Sequence, residues 1–569
     1  MNATTRRAFL KSTTLAAAAT ALRGSVLQGQ SLPGQVDASI EVMPGEAIGT
    51  ISPEIYSHFI EHLGGVIYDG VWVGPNSRIP NQNGIRTAFL DAMRAVQAPL
   101  LRWPGGCFAD SYDWRDGLGG ASSRPARTAF WGQQETNQYG LHEFMHTCRA
   151  IGCKPYLAAN LRTLPARDFY QEVEYCNAPA GPVPSHSAAP AVPNALATQR
   201  AANGDPAPFN VDLWGVGNES WGCGGNLSPE EYAAMYRRFT AWVPTYGSPL
   251  RLVAVGPNGD DASWTRRLFE ALHDGPDDHR MWGLSVHYYT SGSPTKFAAG
   301  DALQYGAGEY YDLLTRGALM EKVVTDHWQA MGSVATHPNS GKNAVKLVVD
   351  EWGAWYGKGT ELGEGYNLSQ QSTMRDALLT GITLDIFQRH ADKVAVANVA
   401  QAINCIHSLM LAQEEKFTVT PTFHVFKMYL PHRGAQAVRA EFTAGSIENP
   451  LAATAAGDSY SGSADAVRSL AGLSGSASLA PGSNGKRLTL TVVNPHLDRA
   501  MTTAIALRGA IITGATGTVL ASADVHDHND FAHPDAVHPV QAKVSQPVAG
   551  RLVHSFPAAS VTTLQLQLA

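Results

Sequence analysis

Eight short apolar runs punctuate residues 54–402: Ile55–Glu61, Pro99–Trp103, Lys154–Asn160, Val211–Glu219, Arg251–Gly256, Trp282–Tyr289, Val345–Glu351 and Val394–Gln401. They are nearly continuous rather than alternating, the pattern of strands buried on both faces of a parallel sheet. Helical patterns separate several of them. Ile85–Gln97 is amphipathic, with Asn83 as its expected cap. Ser228-Pro229-Glu230-Glu231 is a capping box with proline at the first helical position, opening a helix through Trp242. A third helix is expected over Ser369–Arg389. Strand and helix alternating in this way predict the α/β class and a (β/α)8 TIM barrel.

Beyond residue 425 the pattern changes to short alternating strands: Ala437–Phe442, Arg487–Val493, Thr502–Leu507, Gly517–Ala521 and Ser560–Leu568. They predict a C-terminal β-sandwich domain. An Ala/Gly/Ser-rich stretch, 444–485, reads as a mobile loop within it. Ala38–Val42 is strand-like and is expected to add an edge strand. The expected organisation is an N-terminal segment 1–35, a strand region 36–50 joining the sandwich, a barrel over 51–425 and the sandwich over 426–569. Residues 180–194, rich in Pro, Ala and Ser, read as a surface insertion without chemistry.

A chain of 569 residues exceeds what one core usually supports, which agrees with two domains. With 44% hydrophobic and 16% charged residues it is globular, and its formal charge of −7 disfavours nucleic acid or an anionic membrane as partner. The N-terminus carries Arg6-Arg7-Ala8-Phe9-Leu10-Lys11 and then a weakly apolar stretch, Thr13 to Leu22, too short to span a bilayer. This reads as a twin-arginine export signal and predicts a periplasmic or secreted location. Six cysteines are too few for a disulfide scaffold, and no C-x-x-C spacing points to structural zinc.

Two of the runs end in a carboxylate: Asn218-Glu219 closes the fourth and Asp350-Glu351 the seventh. Parallel barrels build their active sites at strand C-termini, and two facing carboxyls are the minimum equipment for glycoside hydrolysis. Each glutamate alone also fits a buried strand-end Glu paired with an Arg; the pair on one barrel favours catalysis. Arg102, closing the second run, is placed to hold an ionised nucleophile. A rival reading comes from His58-Phe59-Ile60-Glu61-His62, which matches the H-x-x-E-H zinc pattern. That pattern needs a helix, and Pro53 and Gly64-Gly65 leave room only for a strand, so Glu61 is expected to face the substrate and no metal is expected. His526, His528, His533 and His538 cluster in a Pro- and Asp-containing loop and read as solvated.

Eight motifs carry a closer resemblance: S-H-F-I-E-H-L-G-G (57–65), L-R-W-P-G-G-C-F-A-D-S-Y-D-W (101–114), V-E-Y-C-N (173–177), W-G-V-G-N-E-S-W-G (214–222), V-H-Y-Y (286–289), V-D-E-W-G-A-W-Y (349–356), A-N-V-A-Q (397–401) and T-P-T-F-H-V-F (420–426). Together they resemble the glycoside hydrolase family 51 α-L-arabinofuranosidases. The resemblance implies a barrel plus β-sandwich and a retaining, cofactor-free release of terminal arabinofuranosyl residues from arabinose-containing plant cell-wall glycans. Glu219 matches the acid/base and Glu351 the nucleophile. Glu61, Arg102, Asn218, Tyr289 and Gln401 match contacts around the sugar, and Trp355 an aromatic wall. A homo-oligomer is also implied, for which the sequence carries no interface signature. Cys107 departs from the pattern, since an Asn amide expected there would bond a sugar hydroxyl far better than a thiol. Cys107 and Cys223 either approach and bridge or remain two free thiols. Two other readings stay open: a related barrel glycosidase acting on xylosides or β-glucans, and a catalytically silent arabinan-binding protein.

Overall fold

All eight apolar runs lie over most or all of a barrel strand, and the departures in their bounds have local causes. The computed structural model describes residues 36–183, 192–273, 281–291, 300–333, 345–357, 362–452 and 468–569. The twin-arginine segment, much of the 180–194 insertion and residues 453–467 lie outside the described residues. After β1 (Ala38–Thr50), strands β2 (Ser57–Phe59), β3 (Leu100–Trp103), β4 (Lys154–Ala159), β5 (Leu213–Val216), β6 (Arg251–Ala254), β7 (Met281–Ser291), β8 (Lys346–Trp355) and β9 (Val394–Val399) follow. Strands β2 to β9 pair in parallel and in chain order to close an eight-stranded barrel.

The first run departs most. Ser52 accepts from the Glu54 N–H and Pro53 opens a 3-10 turn over Pro53–Tyr56, which shortens β2 to three residues. Each later strand is followed by helix: α1 (Thr87–Ala95) between β2 and β3, α2 (Leu141–Ile151), α3 (Ala166–Asn177) with α4 (Ala195–Ala202), α5 (Pro229–Thr240), α6 (Ala262–His273), α7 (Ala307–Ala318) with α8 (Met320–Gly332), α9 (Met374–Arg389) and α10 (Pro421–Met428). The Ser228 capping box forms as read, with Glu231 returning a bond to the Ser228 N–H. The third helix starts later than expected, because Thr373 and Asp376 form a capping box that stops the helix extending back to Ser369. Asn83 does not cap α1; it adopts φ +52° in a turn that precedes the short strand Ile85–Arg86.

Inside the barrel the floor is apolar: Leu100, Tyr156, Leu213, Val253, Val348 and Val396 pack together. Two residues further along three of these strands the inward positions turn polar, at Arg102, Asp350 and Asn398. The strands that supply the floor therefore lift polar groups to the mouth.

The remaining strands form one nine-stranded sheet. They are β10 (Gln436–Thr443), β11 (Ser474–Leu479), β12 (Arg487–Asn494), β13 (Met501–Leu507), β14 (Ile512–Ala521), β15 (Val540–Gln541), β16 (Leu552–Phe556) and β17 (Ser560–Leu568), joined by β1. Their order is β15-β14-β17-β12-β11-β10-β1-β13-β16. The edge-strand expectation for Ala38–Val42 is thus corrected: β1 is longer and interior, antiparallel to β10 and parallel to β13. The loop expected over 444–485 is corrected too, since it contains β11 and the strand pair Ser446–Glu448 and Ser469–Ala471. Side chains from both halves of the sheet, such as Ile40, Ile505 and Phe556 with Leu488, Leu490 and Leu564, share one apolar cluster. Helix α9 is buried from Met374 through Gln388 and lies against both barrel and sheet.

Candidate active site

Strand β8 carries its two acids past the expected strand end. Glu351 was expected where the run stops, but β8 continues to Trp355. Its pairing with β7 slips between Ser285 and His287, and with β9 between Val349 and Trp352. Such a bulge re-aims side chains, and here the neighbours Asp350 and Glu351 are both buried at the mouth instead of on opposite faces. Tyr156 and Asn398 hold Asp350 at 2.9 and 3.2 Å.

Glu351 is surrounded by donors. Arg102 Nη1 reaches Oε1 at 2.8 Å and the Tyr289 hydroxyl donates to Oε2 at 2.7 Å. Burial alone would raise the Glu351 carboxyl, but His287 and Arg102 more than offset that and hold it below the usual carboxylate range. Arg102 also donates to Asn218 Oδ1 at 2.6 Å, so one guanidinium ties the end of β5 to β8. Gly106 lets the loop after β3 pass close by: a Cβ there would stand 2.8 Å from Glu351 Oε1.

Glu219 lies three residues beyond β5, at φ +37°. The turn is held from behind by Asp110, whose Oδ2 accepts from the Asn218 N–H at 3.0 Å and whose Oδ1 accepts from the Leu161 N–H at 2.7 Å. His287 Nδ1 stands between the two glutamates, 3.0 Å from Glu219 Oε1 and 3.6 Å from Glu351 Oε2. The three groups offer ligand-type atoms all within 4.8 Å of one another, which sets the separation of the facing carboxylate oxygens. The same triad has the makings of a metal site, but the Arg102 guanidinium already supplies the positive charge on Glu351.

Glu61 forms the far wall. It accepts from the Phe108 N–H and Trp131 Nε1, both at 3.0 Å, and from Gln401 Nε2 at 3.3 Å. Burial, with Glu351 adding to it, pushes its pKa up to about 7. Trp355, at the end of β8, sets its ring edge-on to Tyr289 at 5.0 Å.

The expectation for Cys107 is corrected. It is joined to Cys223 in a disulfide with Cα atoms 5.6 Å apart, so it carries no thiol to bond a sugar. Both sulfurs lie against Glu219 Oε2, at 3.6 and 3.4 Å. His58 and His62 do not form the zinc pair of the rival reading. Glu135 and Trp103 occupy both His62 ring nitrogens, and His58 stacks obliquely on Phe426 from a strand. In the C-terminal loop, His526, His533 and His538 face Asp524, Asp530 and Asp535 respectively.

All nine expected site residues except Trp355 thus share direct contacts at the barrel mouth, and Trp355 joins through Tyr289. Sequence reasoning missed His287, Trp131 and Asp110. His287 was within reach, since it shares a strand face with Tyr289 two residues on. Trp131 and Asp110 arrive on the long loop after β3, where no periodicity applies. A cleft of about 720 Å³ lies elsewhere, between α10 and the sheet. It is lined by His424, Lys427 and several Thr and Gln side chains without a carboxylate, so the candidate chemistry is at the mouth and not in this cleft.

Comparison with known proteins gives the family. Family models described as "Alpha-L-arabinofuranosidase 1 domain" and "Alpha-L-arabinofuranosidase C-terminal domain" match residues 92–300 and 350–560. The intracellular exo-α-L-arabinofuranosidase of Bacteroides ovatus is 34% identical over 94% of this chain and 97% of its own. The GH51 arabinofuranosidase structure from Xanthomonas axonopodis pv. citri is 32% identical, with a TM-score of 0.82 over 94% of this chain and all of that one. This chain belongs to the GH51 α-L-arabinofuranosidases. The α-L-arabinofuranosidase of Thermotoga maritima, solved as an arabinose complex, shares 27% identity and a TM-score of 0.76 over 93% of this chain and all of its own. A bifunctional glucanase-xylanase, CelM2, matches at 14% identity and a TM-score of 0.51, a likeness of fold alone.

The expected periplasmic or secreted location is overturned. The B. ovatus relative and a Bifidobacterium longum relative, 28% identical over 70% of this chain and 71% of its own, are both named intracellular. These names point away from export, and the segment that suggested it lies outside the described residues.

Proposed function

We propose that this arabinofuranosidase is a retaining exo-enzyme in which Glu351 is the nucleophile and Glu219 the acid/base. The observation that carries the reading is the separation of the two carboxylates, with facing oxygens inside 4.8 Å. Retaining enzymes hold their carboxyls at about 5–5.5 Å, whereas inverting ones leave about 6.5–9.5 Å for a water. Electrostatics assigns the roles. Glu351 is 7% exposed and ionised by Arg102, with Tyr289 bonded to its other oxygen, as a nucleophile must be. Glu219 is 17% exposed and, among the described residues, meets His287 and the disulfide, the more open position that an acid/base exchanging a proton with substrate and water needs.

Glu351 attacks the anomeric carbon as the glycosidic bond breaks, and the leaving oxygen takes the proton from Glu219. Glu219, now a carboxylate, removes a proton from water, which displaces Glu351 and releases arabinose. Glu61, Asn218, Gln401 and Arg102 bind and orient the sugar hydroxyls, and Trp355 with Tyr289 closes one side. No step calls for a cofactor. Exo action on terminal α-L-arabinofuranosyl groups of arabinose-containing glycans follows the two relatives named exo-enzymes. The alternation of strand and helix supports reading the catalytic unit as a (β/α)8 barrel over about 51–425. The shared apolar cluster supports reading 426–569, completed by 36–50, as a β-sandwich.

Product analysis on arabinan and arabinoxylan tests this function. Arabinose as sole early product is expected from at least one of them. Xylose or xylo-oligosaccharides released without arabinose, or binding without release, would overturn it.

A further inference from the structure

Away from the barrel mouth, three ligand-type side chains converge on the outer helical layer. His142 and His146 sit one turn apart on α2, and Asp205 lies in the segment between α4 and β5. His142 Nδ1 is 2.6 Å and His146 Nε2 3.0 Å from the same Asp205 Oδ2. All three atoms lie within 4.8 Å of one another. Histidines at i and i+4 on one helix face with a carboxylate opposite are a donor set for borderline divalent metals, not for magnesium or calcium. We infer that this cluster binds a divalent transition metal ion of the zinc type, through His142 Nδ1, His146 Nε2 and Asp205 Oδ2, with water completing the shell.

The surroundings fit the ion. A ligating histidine needs its second ring nitrogen fixed. His142 Nε2 lies 2.7 Å from the Tyr175 hydroxyl, which Asn203 Nδ2 anchors at 2.9 Å. The His142 ring also stands edge-on to Phe209 at 5.3 Å. His142 and Asp205 are buried while the His146 side chain is 51% exposed, which gives the ion a way in. Metal bonds of about 2 Å place tetrahedral ligand atoms about 3.3 Å apart, so the spacings of 2.6 and 3.0 Å to Asp205 need to open by about 0.7 and 0.3 Å.

One group competes. Arg149 pairs with the other oxygen, Asp205 Oδ1, and its positive charge opposes a cation. Its side chain is 46% exposed and is free to turn outward as the ion takes its place. Removing Arg149 should therefore tighten metal binding, an effect that a purely structural His–Asp–Arg network would not produce. The ion would staple α2 to the segment that leads into β5.

The test is calorimetric titration of the untagged full chain, stripped with chelator, against ZnCl2 and NiCl2, with MgCl2 as control. One equivalent of zinc or nickel is expected, with no magnesium binding and a higher Tm on saturation. His146→Ala should weaken affinity by at least about tenfold and abolish the Tm rise. Its circular dichroism and arabinofuranosidase activity should stay those of the parent, because His146 is half exposed and remote from the catalytic glutamates. Arg149→Ala should bind several-fold more tightly. Absence of saturable binding, binding unchanged in His146→Ala, or no gain in Arg149→Ala would overturn the proposal.

Discussion

The barrel mouth and the interface between α9 and the sheet both bury a carboxylate, with opposite results. At the mouth, Glu351 meets a guanidinium and an imidazole and is held ionised. At the interface, Asp385 is bonded to neutral hydroxyls, Thr491 at 2.5 Å, Ser476 at 2.7 Å and Tyr429 at 3.0 Å, and Arg389 acts on it without a bond. Burial wins there, and the Asp385 pKa is pushed up to about 6. Hydroxyl donors do not offset burial at Asp385, whereas the paired cations do at Glu351. Glu61 follows Asp385: it has amide, indole and side-chain amide donors but no cation in direct contact, and rises to about 7. Glu351 is thus set apart from Asp385 and Glu61 by Arg102 and His287 rather than by depth.

The strongest way to break this comparison is to remove Glu351. Glu351→Ala should lower kcat on the order of 10⁴-fold or more, and azide should restore turnover with an inverted product. Glu219→Ala should cost about 10²–10⁴-fold on poor leaving groups and far less on activated aryl arabinosides; equal losses on both would remove its assignment as acid. Gly106→Ala places a methyl 2.8 Å from Glu351 Oε1 and must displace that carboxylate. A loss of roughly 10²-fold in kcat/KM is expected for misplacement of this size, and parent-like kinetics would mean that the loop yields instead.

The smallest effect is at the interface. Asp385 binds its proton more tightly folded than unfolded, with a pKa of about 6 against 3.8. The stability this gives is present in full below pH 3.8 and is lost as pH rises through about 6. Asp385→Asn should therefore flatten the fall in Tm between pH 4 and 7. An unchanged Tm profile would show that neutral hydroxyls can hold this acid ionised.

Barrel strands were legible because continuous apolar runs leave few alternatives, and the two glutamates of the mouth because they closed two of those runs. What stayed hidden depended on features without a period. The β8 bulge that turns Asp350 and Glu351 to the same side changes no residue type. Trp131 and Asp110 reach the site through a long loop. For β1, its sequence reads as a strand, but nothing in it fixes a place between β10 and β13. Cys107 and Cys223 were visible as neighbours of the site, yet the choice between thiols and a bridge needed coordinates.

The account rests on Glu351 acting as a nucleophile opposite Glu219, with facing oxygens inside 4.8 Å. Its most direct test is NMR of the first product released from an aryl α-L-arabinofuranoside, read before mutarotation. Arabinose appearing first as the α-anomer is predicted; initial release of the β-anomer would contradict the double displacement and the roles given to both glutamates.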